Sequence, residues 1–394
     1  MKNKIFIILI LCFCLCGCGN YSELNDLAII TGVGIDIKDD KYNLSYLIAN
    51  SQMSQTSSKE GEAQTTVYTG SGKNLSDAAR KIEAKSSRRL YYGHINIVIV
   101  SEQVGKKGFL NIADYILRNP ETRKQFYILQ AKDSSAEDVL KIVSPLESFP
   151  SQGISSLIEA NKSDQAFSND VNYSAFVSRL LDTGYDATMP SITIKGNEDK
   201  GSSLKNLEST SPKTYLKLDN TAIYRKDKFV GYANAKESES INIMNGSATD
   251  IIYNFQHNKN EVTFSSSDIK SKIEVKSPKK VSIKVDGIGF ISEINSDDDL
   301  EKIKTIKELQ KGINKSLKKD LTKTLEALQS KYQSDALGIG NLIYKKYPDK
   351  WKSLKKDWHN KGYKDVDFDV KVNFIIESSG ALEKTIKEVK DEKD

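Results

Sequence analysis

The sequence predicts an α+β, multi-domain protein in which mixed β-sheets carry packed helices, one of them long and amphipathic. Three observations predict it. Short β-branched runs alternate with helix-length periodic segments in the first 160 residues, in a β-α-β-α-β succession. A second cluster of strand-like runs fills 261–291. From 298 to 332, Leu300, Ile303, Ile306, Leu309, Ile313, Leu317, Leu321, Leu325, Leu328 and Tyr332 recur every three or four positions with charged residues between them.

In chain order, residues 27–37 and 41–49 form a hairpin with Asp39-Asp40 as its turn. Residues 51–66 hold only Met53 and Ala63 as apolar side chains, which predicts a mobile loop. Asn74-Leu75-Ser76-Asp77 opens a helix with Leu75, Ala78, Ala79 and Ile82 on one face. After Tyr91-Tyr92-Gly93-His94 comes an apolar strand at 95–100, a helix over 107–118 stopped by Asn119-Pro120, and a strand at 125–131. Short helices are expected at 136–143 and 154–161. The stretch 195–213 is almost wholly polar, which predicts a boundary: an N-terminal region at 18–195, a linker at 196–213 and a C-terminal domain at 214–394. Strands at 215–225 and 228–234 follow, then 261–291 broken by Ser277-Pro278, the long helix, and a strand at 366–376. The helix is expected to pack on its own sheet rather than dock a partner.

The start of the chain reads as an export signal. Lys2 and Lys4 precede an apolar run of eleven residues, 5–15, too short to span about 30 Å of hydrocarbon at about 1.5 Å per residue. Leu15-Cys16-Gly17-Cys18 then has the layout of a lipobox, with Gly17 before the cleaved bond and Cys18 after it. Residues 1–17 are therefore expected to be removed and Cys18 to carry a diacylglyceryl group, whose two chains hold where one alone is marginal at about 0.8 kcal/mol per buried CH₂. All four cysteines, Cys12, Cys14, Cys16 and Cys18, fall in this segment, so the mature chain has no disulfide framework and no thiolate metal site.

Composition and motifs exclude more than they assign. The chain holds 58 Lys+Arg and 53 Asp+Glu; loss of the two lysines in 1–17 leaves 56 against 53, finely interspersed, with no support for a nucleic-acid partner. There is no Gly-x-Ser-x-Gly elbow, P-loop or His-Glu-x-x-His, and no catalytic residue, cofactor or metal is expected. Gly32-Val33-Gly34 lacks the third glycine of a dinucleotide loop and predicts a bulge or close backbone approach. His94, His257 and His359 are widely separated and read as structural or exposed. Tyr347, Trp351, Leu354 and Trp358 fall at helical spacing among Lys345, Lys346, Lys350, Lys352, Lys355 and Lys356. A core-facing aromatic stripe with a solvated lysine back is favoured over a patch resting aromatic side down on anionic headgroups.

Four stretches carry a resemblance. The segment Cys18-Gly-Asn-Tyr-Ser-Glu-Leu-Asn-Asp-Leu-Ala-Ile-Ile-Thr-Gly-Val-Gly-Ile-Asp36 resembles the mature start of the Ger(x)C family, the C subunits of spore germinant receptors, without the tryptophan usual after the cysteine. Arg88-Arg-Leu-Tyr-Tyr-Gly-His94 is similar to that family's Gly-His segment, and Thr221-Ala-Ile-Tyr-Arg-Lys-Asp-Lys-Phe-Val-Gly-Tyr232 to the start of its C-terminal domain. The fourth stretch runs from Asp335 to Trp351 and on to Trp358. The resemblance implies a non-catalytic, lipid-anchored receptor subunit needed for nutrient-triggered germination. It further implies a place on the outer face of the spore inner membrane beside integral membrane A-type and B-type subunits. A solute-binding lipoprotein, which needs two similar lobes around a cleft, is the alternative.

Overall fold

The computed structural model describes residues 23–50, 63–147, 149–164, 172–208, 210–294, 300 and 302–378. Cys18 and most of the expected loop at 51–66 lie outside them. Strands β1 (Leu27–Lys38) and β2 (Lys41–Ala49) form the expected hairpin. Its turn residues Asp39 and Asp40 have φ of +50° and +58°, the paired left-handed geometry that matches strand twist and that aspartate tolerates. β3 (Thr65–Gly72) adds to β2, so the last residues of the expected loop are strand.

The chain continues through β4 (Arg89–Tyr91), β5 (Ile97–Val100), β6 (Tyr127–Ala131) and β7 (Thr188–Lys195). β8 (Tyr215–Arg225) and β9 (Lys228–Tyr232) complete a nine-stranded sheet of order β3-β2-β1-β5-β6-β7-β8-β9, with β4 also on β1. β1, β5, β6 and β7 run parallel at its centre, and the outer strands are antiparallel. β5 reads Ile-Val-Ile-Val because helices cover both faces: Val98 and Val100 enter one core, Ile97 and Ile99 the other. α1 (Leu75–Glu83), α2 (Glu102–Lys107) and α3 (Leu110–Arg118) cover the first face. α4 (Ala136–Lys141) and α5 (Pro150–Asp164) cover the second, and α6 (Tyr173–Leu181) returns to the first. The helix expected at 107–118 is α3 and starts only at Leu110, because Gly108, with φ of +122°, ends the preceding α2, which the sequence did not predict.

The glycines of β1 act as expected. The β1–β2 register shifts between Ile30 and Gly32, and a Cβ on Gly32 or Gly34 would sit 3.0 Å from a Leu140 methyl, so α4 lies directly on the strand.

The segment expected as a linker differs from an open tether. Within 196–213, α7 (Glu198–Gly201) and a short 3-10 turn at Leu204–Asn206 are tied to the first unit: Val143 N donates to Gly201 O at 3.1 Å, and buried Asn206 donates to Val143 O and Thr214 O. β7 and β8, on either side of it, are antiparallel partners in one sheet. The sheet therefore continues past this segment, with Leu216, Leu218 and Ala222 of β8 packed into the cores on the two faces of the first sheet and Ile223 into the core of the second sheet.

A second sheet follows, of order β10-β11-β12-β13: β10 (Ile251–His257), β11 (Asn260–Ser277), β12 (Lys280–Ile294) and β13 (Asp367–Ser378), with β12 and β13 parallel. α8 (Ala235–Met244) and the long α9 (Ile303–Ala327) pack on it, and α9 continues as a π-turn to Tyr332. Leu309, Ile313, Leu317, Leu321, Leu325 and Leu328 are buried against the sheet, the use expected of the helix, but Ile303 is 72% exposed at its first turn. α10 (Ile339–Lys346) and α11 (Pro348–Leu354) form a small lobe at the end of this unit.

Candidate functional site

The densest cluster of buried ionisable groups lies where the lobe meets the first sheet. Asp186, just ahead of β7, and Asp335, just ahead of α10, are both buried. Asp186 Oδ1 accepts from Lys226 N at 2.7 Å and Oδ2 from Asp335 N at 2.7 Å, while Asp186 N donates to Asp335 O at 3.1 Å. Asp335 Oδ1 accepts from Ile339 N at 2.8 Å; its Oδ2 accepts from Gly340 N at 2.6 Å and from the Trp358 indole at 3.0 Å. His359 Nε2 lies 2.9 and 3.0 Å from the two oxygens of Asp186. Asn341 closes the contact, donating to Asp182 Oδ1 at 2.7 Å and through its backbone to Gly184 O at 2.9 Å.

Two glycines permit this approach. Gly184 has φ of +71°, and a Cβ there would stand 2.7 Å from Gly340 C and from the Trp351 ring. Trp351 and Trp358 are both buried, edge to face with centroids 5.0 Å apart. The core-facing reading of the aromatic stripe is the observed one. Burial pushes the Asp335 carboxyl up to about 7, against its donors Gly340 N–H, Ile339 N–H and the Trp358 indole, with the nearby Asp186 charge adding to the rise. All four carboxylate oxygens of Asp186 and Asp335 are met by N–H donors at the contact, so the cluster acts as a latch joining two units.

Of the three histidines, His359 joins this latch; its aspartate partner is 173 residues away in sequence, so spacing could not reveal it. His94 lies against Tyr91, and His257 contacts Asn258. Among the described residues no group of three His, Cys, Asp or Glu side chains could hold a metal, and no helix is long and apolar enough to cross a membrane.

A second feature occupies the carboxyl ends of β1, β5 and β6. Asp36, Glu102, Asp133, Glu137 and Asp138 line an open cleft of about 590 Å³. Asp36 is committed within it, accepting from Ala136 N at 2.8 Å and Glu137 N at 3.1 Å at the start of α4. Burial raises its carboxyl above the usual range despite these donors.

Comparison with known proteins agrees with this layout. A family described as spore germination protein N-terminal domain matches residues 20–194, and one described as spore germination B3/GerAC like, C-terminal, matches residues 219–380. The chain is 28% identical to spore germination protein KC of Bacillus subtilis, over 93% of this chain and 92% of that protein. It is 24% identical to spore germination protein GerQC of Bacillus cereus over 82% and 85%, and 22% identical to spore germination protein B3 of Bacillus subtilis over 92% and 94%. Among solved structures, the crystal structure of the GerBC protein superposes with a TM-score of 0.55 at 18% identity, covering 90% of this chain and all of that one, which speaks for the fold.

Proposed function

Because the chain belongs to the Ger(x)C family of spore germination proteins, whose N-terminal and C-terminal models it matches in tandem, we propose that it is the lipid-anchored, non-catalytic subunit of a spore germinant receptor. Cys18 is the anchor in this reading, with the receptor's integral membrane A-type and B-type subunits as partners and the outer face of the spore inner membrane as its place. The observation that carries it is the end-to-end match to germination proteins, 93% of this chain against 92% of protein KC, with Leu15-Cys16-Gly17-Cys18 at its head. Its two sheets, one of nine strands and one of four, are dissimilar and joined by a buried latch, which is unlike the paired lobes a solute-binding protein needs. Two acyl chains confine the protein to a plane, which raises its effective concentration for membrane partners and lets a modest interface suffice.

The test is purification from spore membranes in mild detergent through a tag on this chain. The expected result is recovery of both integral membrane subunits, lost when either is deleted. Recovery of the chain alone, after crosslinking that traps other receptor contacts, would contradict the proposal.

A further inference from the structure

The strand directions place the start of β1, nine residues after Cys18, at one end of the first sheet. β1 pairs in parallel with β5 through Gly32 and Ile97, β5 with β6 through Ile97 and Tyr127, and β6 with β7 through Gln130 and Ser191. The amino-terminal ends of these strands therefore share one edge of the sheet, and β1 runs beyond that edge back to Leu27. From Leu27 to Cys18 is nine residues, a reach of at most about 30 Å. The loop carrying Gly184 and Asp186 immediately precedes β7, so the latch fixes the α10–α11 lobe at this same end, three strands from β1 and thus about 14 Å across the sheet.

That lobe is strongly basic. Residues 344–364 hold eight lysines against two aspartates. Lys345, Lys350, Lys355, Lys356, Lys361 and Lys364 are all exposed and, among the described residues, none has a carboxylate within ion-pair distance; Lys352 pairs with Asp349. Tyr344 is exposed beside them, whereas Trp351 and Trp358 point inward and cannot insert into a bilayer. The opposite end carries the cleft lined by five carboxylates and Lys38, with Glu102 paired to Lys106 and Glu137 to Lys141. Unpaired positive charge is thus concentrated on the lobe, whereas the carboxylates at the other end are partly matched by Lys38, Lys106 and Lys141.

We propose that the lysine face of the α10–α11 lobe rests on anionic lipid headgroups and orients the anchored protein, with the acidic cleft pointing away from the membrane. The inference rests on Cys18 as the anchor. A lipid tether alone leaves the domain free to tumble about its linker; a lysine face within a Debye length of about 8 Å of anionic lipid restricts it.

The full-length lipidated chain, reconstituted in vesicles, tests this. Cys18 is the mature chain's sole cysteine and its thiol is acylated in this reading, so Ser353→Cys on the lobe and Lys41→Cys at the far hairpin each give a unique site for a fluorophore. Energy transfer to headgroup-labelled lipid is expected to be at least about twofold higher from position 353 than from position 41 in vesicles containing phosphatidylglycerol. The difference should collapse in pure phosphatidylcholine, in about 1 M salt, and in the triple variant Lys350→Glu, Lys355→Glu, Lys356→Glu. Equal transfer from both sites in anionic vesicles on which the protein is retained overturns the orientation while leaving the anchor intact. Failure to be retained on vesicles of either composition overturns the anchor and this inference with it. If the triple variant keeps its transfer but loses the receptor's membrane subunits, the face serves an acidic protein surface and the lipid proposal is wrong.

Discussion

Replacing Asp335 with asparagine keeps the side chain's shape but turns one of its two acceptor oxygens into a donor facing Ile339 N–H or Gly340 N–H and the Trp358 indole. A buried donor left unsatisfied costs about 1–3 kcal/mol, so Asp335→Asn should destabilise the chain by about that much in urea unfolding. The same residue makes stability depend on pH. Its folded carboxyl titrates near 7, above the unfolded value of about 3.9, so the folded state holds the proton longer. That contribution is fully present below about pH 4 and is lost as pH rises to about 7. Asp36 and Glu239 are shifted upward too, so the test is the difference between parent and variant: the fall in stability from pH 5 to 7 should be shallower in Asp335→Asn. Equal slopes would remove Asp335 as its cause. The sequence offered Asp335 within a family stretch and His359 as an isolated histidine; their meeting with Asp186 depends on tertiary contacts across about 150 residues, which no local pattern encodes.

At the scale of elements, legibility followed periodicity. α9 was readable because one stripe is buried and the rest is solvated, and the hairpin β1–β2 because its turn needs two left-handed residues. α8 was missed: Ser238, Glu239, Ser240 and Asn242 are buried along with Ile241 and Ile243, so no polar face marks it, although Asn234 and Glu237 form a capping box that could have signalled its start. β7 and α6 were missed for want of a clear alternation or a helical stripe long enough to stand out. The burial pattern along α9 also yields a paired test. Leu317→Ala, in the core, should cost about 3 kcal/mol, whereas Ile303→Ala, at the exposed first turn, should stay within about 0.5 kcal/mol. Similar losses in thermal unfolding would mean that the first turn of α9 is covered.

For the whole molecule, composition placed a boundary where polar residues crowd, near where the two family matches divide, but hydrogen bonding does not break there. Polar side chains such as Asn197, Asn206 and Thr214 are spent on backbone partners, so a run without apolar residues still folds onto its neighbours. Hydrogen bonds through Asp186 and Asp335 join the two sheets directly. In the proposed reading, the Cys18 anchor is what makes the chain part of a membrane receptor. Cys18→Ala at the native locus, with membrane fractionation and nutrient-triggered loss of optical density followed in the same spores, tests that most directly. The predicted result is a chain that leaves the membrane fraction or keeps its signal uncleaved, in spores that no longer respond to nutrient. A Cys18→Ala chain that is cleaved, stays with the membrane and germinates at the parental rate would contradict it.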